Sequence, residues 1–489
     1  MALVTRLIKI SAVLTTDQPI VSGLFLKCLA LIYFSAFVSM VTQVEGLVGV
    51  DGILPIESLL RSVELRFPDN KYWLLPTIFW LDASDRTLVL VCYAGMLAAL
   101  LVFVNYLTRT ALVVCYLLYL SIYVAGQDFT GFQWDVLLLE SGFLAILLTS
   151  GSGFVILLYR WLIVRFMFMG GLVKIASGDP TWANFTALNY HYQSQPLPQA
   201  LSWYVHHFPE WLHKISVGGV FFIELLVPVM VFMPRPFRLF AGCSFMLLQL
   251  VIILTGNYTF FNLLTMALCL FLFDDQAVQA VLPKRCIKTL KRPQKGSSKW
   301  PYTITGFWLC LVLTVCATRI WVGLSKQQAF APLSALIRLT SNLALVNSYG
   351  PFAVMTKVRR EIIIQGSNDG LQWLNYQFKY KPDRLDKELA WVIPHQPRLD
   401  WQMWFQALSS LPKRGWFDSF MRQLQQGSPA VLGLLAYNPF PDRPPVYLRA
   451  LIYRYRFTTP EQRAATGNIW QRDYPGVYWM DVPDFGKIP

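Results

Sequence analysis

Apolar runs recur along this chain at about 21–43, 87–104, 111–126, 136–152, 154–177, 217–234, 239–255, 258–274 and 303–323. A tilted helix needs roughly 17–25 such residues to cross a bilayer. Inside hydrocarbon every backbone N–H and C=O must be satisfied within the segment, so each run reads as a helix. Only 14% of the residues are charged, whereas a soluble domain carries about 25%. The expected fold class is a polytopic α-helical membrane protein, with about nine transmembrane helices on that length criterion. Residues 73–80 are too few to span and read as a re-entrant or interfacial piece.

The spacing of the runs breaks once. Residues 172–211 form a dense polar insert, LVKIASGDPTWANFTALNYHYQSQPLPQALSWYVHHFPEW, whose aromatic, His and Pro content bulk lipid does not explain. Lys and Arg in short loops resist translocation. Arg6, Lys9, Arg109, Arg235, Arg238, Lys284, Arg285, Lys288, Lys291, Arg292, Lys295 and Lys299 all fall on one side of a nine-helix arrangement. That side reads as cytoplasmic. Residues 1–20 are then a cytoplasmic N-terminus and 21–323 a helical membrane domain, with an exported insert at 178–216 and a basic cytoplasmic loop at 275–300. Residues 324–489 form an exported C-terminal domain. The net charge of +14 thus faces anionic membrane lipid, and nucleic acid is not an expected partner.

Gln43 and Glu45 follow the first run where a cleavage site would carry small residues, so that run reads as an uncleaved anchor. The 8 Cys lie in or beside the expected helices and none lies in the exported domain, so disulfide stapling is excluded there. Asn184 and Asn257 open glycosylation sequons by pattern.

After residue 324 the pattern changes. Residues 360–365 and 371–380 flank a Ser-Asn-Asp-Gly turn and read as a β-hairpin, and 446–457 reads as another strand. Residues 399–408, 416–425 and 429–435 read as helices, the last opened by Ser428-Pro429. The expected C-terminal domain is α+β, a sheet or sandwich with a helical insertion.

All 5 His (His191, His206, His207, His213 and His395) fall on the exported side, in spacings that match no zinc signature. No metal and no cofactor is expected. Six ionisable residues lie within or at the ends of apolar runs: Asp135, Glu140, Arg160, Arg165, Lys174 and Glu224. Lipid exposure of each would cost several kcal/mol. Two readings stand, interhelical ion pairs that fix the bundle, or a membrane-buried base such as Lys174. GxSxG, Walker and HExxH motifs are absent from the sequence.

Longer strings carry a resemblance. Gln133-Trp134-Asp135, Leu137 to Ala145 with Glu140, Arg160-Trp161, Arg165, and Gly171-Leu-Val-Lys174 lead into Ser177-Gly178-Asp179-Pro180-Thr181-Trp182. Thr186 to Tyr192, Trp203 to His207, Glu224, Thr255 to Tyr258, Phe261 to Thr265, Asn347 to Gly350, Pro394 to Trp404 and Asn438 to Phe440 continue it. Together these resemble the lipase maturation factor family, over roughly residues 127–457. The resemblance implies a membrane protein that helps secreted lipases reach their active state, with a large lumenal C-terminal region. Eukaryotic members work in the endoplasmic reticulum. The short loops of this chain look more like a bacterial relative, which would sit in the cytoplasmic membrane with its C-terminal domain in the periplasm. The family's membrane region also resembles, more distantly, that of vitamin K-dependent carboxylases. The alternative to a non-enzymatic folding factor is therefore an intramembrane enzyme that modifies exported proteins or lipids.

The expected partners are membrane lipids and a client lipase or other exported protein. Candidate contact residues in the insert are Asp179, Trp182, Tyr190, His191, Tyr192, Trp203, Tyr204, His206 and His207. In the exported domain they are Tyr349, His395, Arg398, Asp400, Trp401, Trp404, Phe405 and Trp416. The competing reading of these aromatics is interfacial anchoring or core packing, with Asp400 capping its helix or pairing with Arg398. The insert is expected to dock on the C-terminal domain, because each alone exposes too much aromatic surface.

Overall fold

The computed structural model describes residues 18–151, 153–290, 302–325, 327–409 and 415–480. Arg6, Lys9, Lys291, Arg292, Lys295 and Lys299 lie outside these. In chain order the membrane region contains α1 (Pro19–Val41), a surface helix α2 (Ile56–Arg66), α3 (Asp85–Phe103), α4 (Thr108–Ala125), α5 (Gln133–Leu148) and α6 (Gly153–Ala176). The insert supplies α7 (Ala187–Ser194) and α8 (Ala200–His206). Then come α9 (Glu210–Phe232), α10 (Arg235–Thr255), α11 (Phe261–Leu272), α12 (Asp275–Val281) and α13 (Tyr302–Ser325).

Among the described residues, seven helices are long and apolar enough to cross a membrane: α1, α3, α4, α6, α9, α10 and α13. The α11–α12 pair, bent by 116°, makes eight if it counts as one span. The ninth expected span is α5, which has 16 residues. It ends at Thr149-Ser-Gly151, where Gly151 takes φ 77°, a left-handed conformation that glycine adopts at little cost. Most of α5 is buried by its neighbours. Residues 73–80 form two short turns, Lys71–Leu74 and Ile78–Trp80, with Tyr72 and Trp73 exposed beside the bundle.

Helix α9 is irregular. Phe222–Leu226 is a π-turn and Val227–Phe232 a 3₁₀ segment. Pro228 explains the break, because it offers no N–H to the Glu224 carbonyl four residues back and its ring crowds that oxygen. The widened turn carries Glu224 toward α6.

The C-terminal region opens with α14 (Ala331–Asn342) and continues through β1 (Arg359–Ser367), β2 (Leu374–Asn375), β3 (Gln377–Phe378), α15 (Arg398–Ala407), α16 (Trp416–Gln426), β4 (Leu435–Tyr437), β5 (Tyr447–Phe457) and β6 (Trp470–Met480). The main sheet is antiparallel in the order β2-β1-β5-β6. Ile362 faces Ile452 and Ile364 faces Ala450 across β1 and β5. Because side chains alternate between faces, this register places Ile362, Ile364, Leu448 and Ala450 in one buried row, with α15 packed on β1.

The expected hairpin is corrected in part. Residues 371–380 do not return as one strand: β2 pairs with β1, but β3 leaves to pair with β4 in a separate two-stranded sheet. The chain after residue 458, for which sequence analysis offers no reading, supplies the sheet-edge strand β6.

Candidate functional site

The apolar-run charges meet groups of opposite sign in three separate places rather than in one cluster. Where the C-terminal ends of α1 and α4 meet the start of α5, Asp135 takes a two-pronged contact from Arg398, at 2.7 and 2.8 Å, and a third hydrogen bond from the Tyr119 hydroxyl at 2.6 Å. Arg398 also donates to the Phe129 carbonyl at 2.8 Å. The adjoining residues are held as firmly. Trp134 Nε1 donates to Gln396 Oε1 (2.6 Å), the Gln396 N–H to Ser39 Oγ (2.9 Å), and the Arg398 N–H to Gln43 Oε1 (2.9 Å). His395 Nδ1 lies 2.9 Å from Ser39 Oγ. This joint ties residues 395–398 of the C-terminal domain to the membrane bundle. Arg398 therefore does not pair with Asp400, whose carboxylate instead accepts the Tyr380 and Lys381 N–H groups, each at 2.8 Å.

Lower on α5, Glu140 pairs with Arg165 of α6 and accepts hydrogen bonds from the Asn347 N–H (3.0 Å), Asn347 Nδ2 (3.0 Å) and the Tyr349 hydroxyl (2.8 Å). The segment leading into the C-terminal domain is thus pinned to a buried carboxylate. Toward the end of α6, Lys174 Nζ contacts Glu224 Oε1 and Oε2 at 3.0 and 2.8 Å and the Gly170 carbonyl at 3.0 Å. The ammonium sits 5.3 Å from the Trp182 ring centroid, a cation–π contact. Arg160 stands apart from these pairs, donating to the Phe271 carbonyl at 2.9 Å.

The insert docks on the C-terminal domain. Trp182 Nε1 donates to the Phe352 carbonyl, Trp203 Nε1 to Thr458 and Trp404 Nε1 to Ser194, at 3.1, 3.1 and 2.8 Å. Asp179 accepts the Met355 N–H at 2.6 Å. At the centre of this contact lies Arg359 of β1, a residue not among those expected from the sequence to carry a site. Its guanidinium, buried beneath Trp470, donates to the carbonyls of Gln193 (3.0 Å), Gln195 and Pro196 (2.9 Å). Glu361 balances it through Arg359 Nε at 2.9 Å, and Lys381 lies 2.8 Å from the other carboxylate oxygen. The available signal was Arg359-Arg-Glu361 entering an otherwise apolar strand.

Of the two readings of these aromatics, the contacts match core packing for most of the rings. Trp182, Tyr192, Trp203, Tyr349, Trp401, Trp404 and Trp416 are all buried. Each large ring removes 150–250 Å² of surface from water, and the junction between insert, bundle and domain is where that surface goes. Tyr190 packs against the Trp182 and Val217 cluster, and His191 lies edge-on to Phe352 at 5.1 Å. His207 Nδ1 lies 2.7 Å from the Trp203 carbonyl, while Tyr204 stays 52% exposed. Among the described residues no group of three or more His, Cys, Asp or Glu could hold a metal ion.

The histidines outside the spans set a pH dependence. Burial pushes His191, His206 and His395 down to about 4, with neighbouring positive charge adding to the effect. The unfolded value is about 6.5, so the unfolded chain binds more protons between the two values. The stability contribution is complete above pH 6.5 and is lost as pH falls toward 4. Detergent-solubilised protein is expected to melt at a lower temperature at pH 5 than at pH 7, with a smaller difference in His395→Asn. An equal difference in that variant would remove His395 from the account.

Comparison with known proteins matches this architecture. Residues 20–280 match the lipase maturation factor transmembrane domain, and residues 345–480 match the lipase maturation factor C-terminal domain. The chain belongs to the lipase maturation factor family.

Lipase maturation factor 2 of Xenopus laevis is 34% identical, covering 94% of this chain and 82% of the relative. Human lipase maturation factor 2 is 33% identical, covering 94% and 82%. Mouse lipase maturation factor 1 is 34% identical, covering 93% and 85%. No solved structure matches the chain. As a family member with seven apolar membrane-length helices among the described residues, this chain is an integral membrane protein. These three relatives are vertebrate proteins, so the bacterial setting suggested by the short loops gains no support from them.

Proposed function

We propose that this protein assists exported lipases, or closely related exported proteins, to reach their active state through non-covalent contact. It would act from the membrane with its C-terminal domain and insert on the exported side, which is the lumen of the endoplasmic reticulum in a eukaryotic host. The family membership carries this reading, and the geometry supports its non-enzymatic form. Asp135, Glu140, Lys174, Glu224, Arg165 and Arg398 are engaged by internal partners, which suits a rigid platform rather than a reacting centre. With these tryptophans buried, a binding role falls to the exposed surface.

The test is the specific activity of a secreted lipase, activity per mass of antigen, in host cells lacking this chain and in cells to which it is restored. Restoration is expected to raise specific activity about tenfold, the effect of a 1.4 kcal/mol bias in a folding equilibrium. Equal specific activity at equal chain abundance would detach the protein from lipases. A covalent mass shift on the client, appearing only with the intact chain, would favour the enzymatic alternative.

A further inference from the structure

Besides the buried joints, the protein contains a groove of about 430 Å³ between α2 and α16, within the roughly 300–1,000 Å³ usual for ligand sites. The α2 wall contributes Leu54, Ser58, Leu59 and Ser62, and the α16 wall contributes Ser419, Arg422 and Gln423. One wall therefore belongs to the connection between the first two spans and the other to the C-terminal domain. Gln423 Nε2 to the Gly52 carbonyl (3.1 Å) and Ser428 Oγ to the Asp51 carbonyl (2.7 Å) clamp the walls together at one end.

We propose that this groove receives an extended segment of the client polypeptide, an inference that rests on the folding-assistant reading above. The lining chemistry selects that occupant. Five of its side chains, Ser58, Ser62, Gln127, Ser419 and Gln423, are neutral hydrogen-bonding groups, and Arg422 is the single charged one. Ser62 Oγ, Gln127 Nε2 and Gln423 Nε2 already donate to the Ser58, Leu54 and Gly52 carbonyls, which turns their oxygens to the groove as acceptors beside the Ser58 and Ser419 hydroxyls; the alternating neutral donors and acceptors of a peptide backbone match such a lining. A phospholipid headgroup would call for several cations. Ile53, Leu54, Pro55 and Leu59 supply apolar contact for the side chains of such a segment.

Of the 11 residues of α2 only Ile56 and Leu60 are fully buried, with Leu59 packed beside them, so most of the helix surface stays open to an incoming segment.

The test uses the full chain in microsomes, with the photoreactive residue p-benzoylphenylalanine placed at Ser62, at Ser419, or at exposed Glu388 away from the groove. The probe is a radiolabelled secreted lipase translated into those microsomes. Adducts at Ser62 and Ser419 are expected at about fivefold or more over Glu388, and Ser62→Trp is expected to reduce the Ser419 adduct by about the same factor, the range of a central interface contact. Equal adducts at all three positions, no lipase adduct, or adducts to phospholipid alone would overturn the proposal. If restored chain raises lipase specific activity but the groove positions give no adduct, the groove is wrong and the function stands. If restoration changes nothing, the functional reading fails, and the crosslink still decides whether the groove holds polypeptide.

Discussion

Arg398→Met is expected to destabilise the protein by about 3–5 kcal/mol, the cost of leaving a buried charge without its partner. Asp135 and Arg398 are almost wholly buried, so the stranded carboxylate keeps only Tyr119 as a charge-stabilising side-chain donor. The variant should show a lower melting temperature and faster proteolysis near residues 395–398, because the joint between bundle and C-terminal domain opens. The double variant Asp135→Leu/Arg398→Met should recover much of the loss, since a buried pair replaced by apolar groups is often near neutral. Residues in contact do not add, and the size of that recovery measures the coupling. A single variant as stable as wild type would show that this joint does not hold the two regions together.

Arg359→Leu should have a comparable effect, again about 3–5 kcal/mol, with a different local signature. It removes the donors for the Gln193, Gln195 and Pro196 carbonyls and leaves Glu361 with Lys381 alone. Hydrogen exchange is expected to rise across α7 and residues 195–199 while α1 and α4 stay protected. Arg359→Lys should rescue little of this, because a single ammonium cannot reproduce a planar fork serving three carbonyls and a carboxylate. Unchanged exchange in the insert would mean that Trp182, Trp203 and Trp404 suffice to hold it.

The two variants also separate stability from function. If the client groove lies between α2 and α16, Arg359→Leu should depress lipase maturation through loss of folded chain, whereas Ser62→Trp should depress it at constant abundance. Comparing specific activity per mass of membrane protein distinguishes these routes.

Sequence alone determined the membrane class, the position of most spans, the α15, α16 and β5 elements and the family. These rest on local quantities: runs of apolar side chains, alternation along a strand, and long residue strings such as Pro394 to Trp404. The same locality explains the misses. The apolar run read as a span at α5 holds a helix of 16 residues, shorter than the seven membrane-length helices among the described residues. The return strand after Ser-Asn-Asp-Gly was legible only as far as β2, because β3 takes its partner from β4, some sixty residues later.

Only the tertiary structure decided which charge meets which. Asp135 and Arg398 are 263 positions apart, and Glu140 lies 207 from the Asn347 N–H that it accepts. Pairing over such separations depends on how the bundle, the insert and the sheet pack, and composition carries no trace of that. For the same reason tryptophans that read equally well as a client surface or as core turned out to be core: an amphipathic ring satisfies either environment, and the choice belongs to whatever else is folded against it.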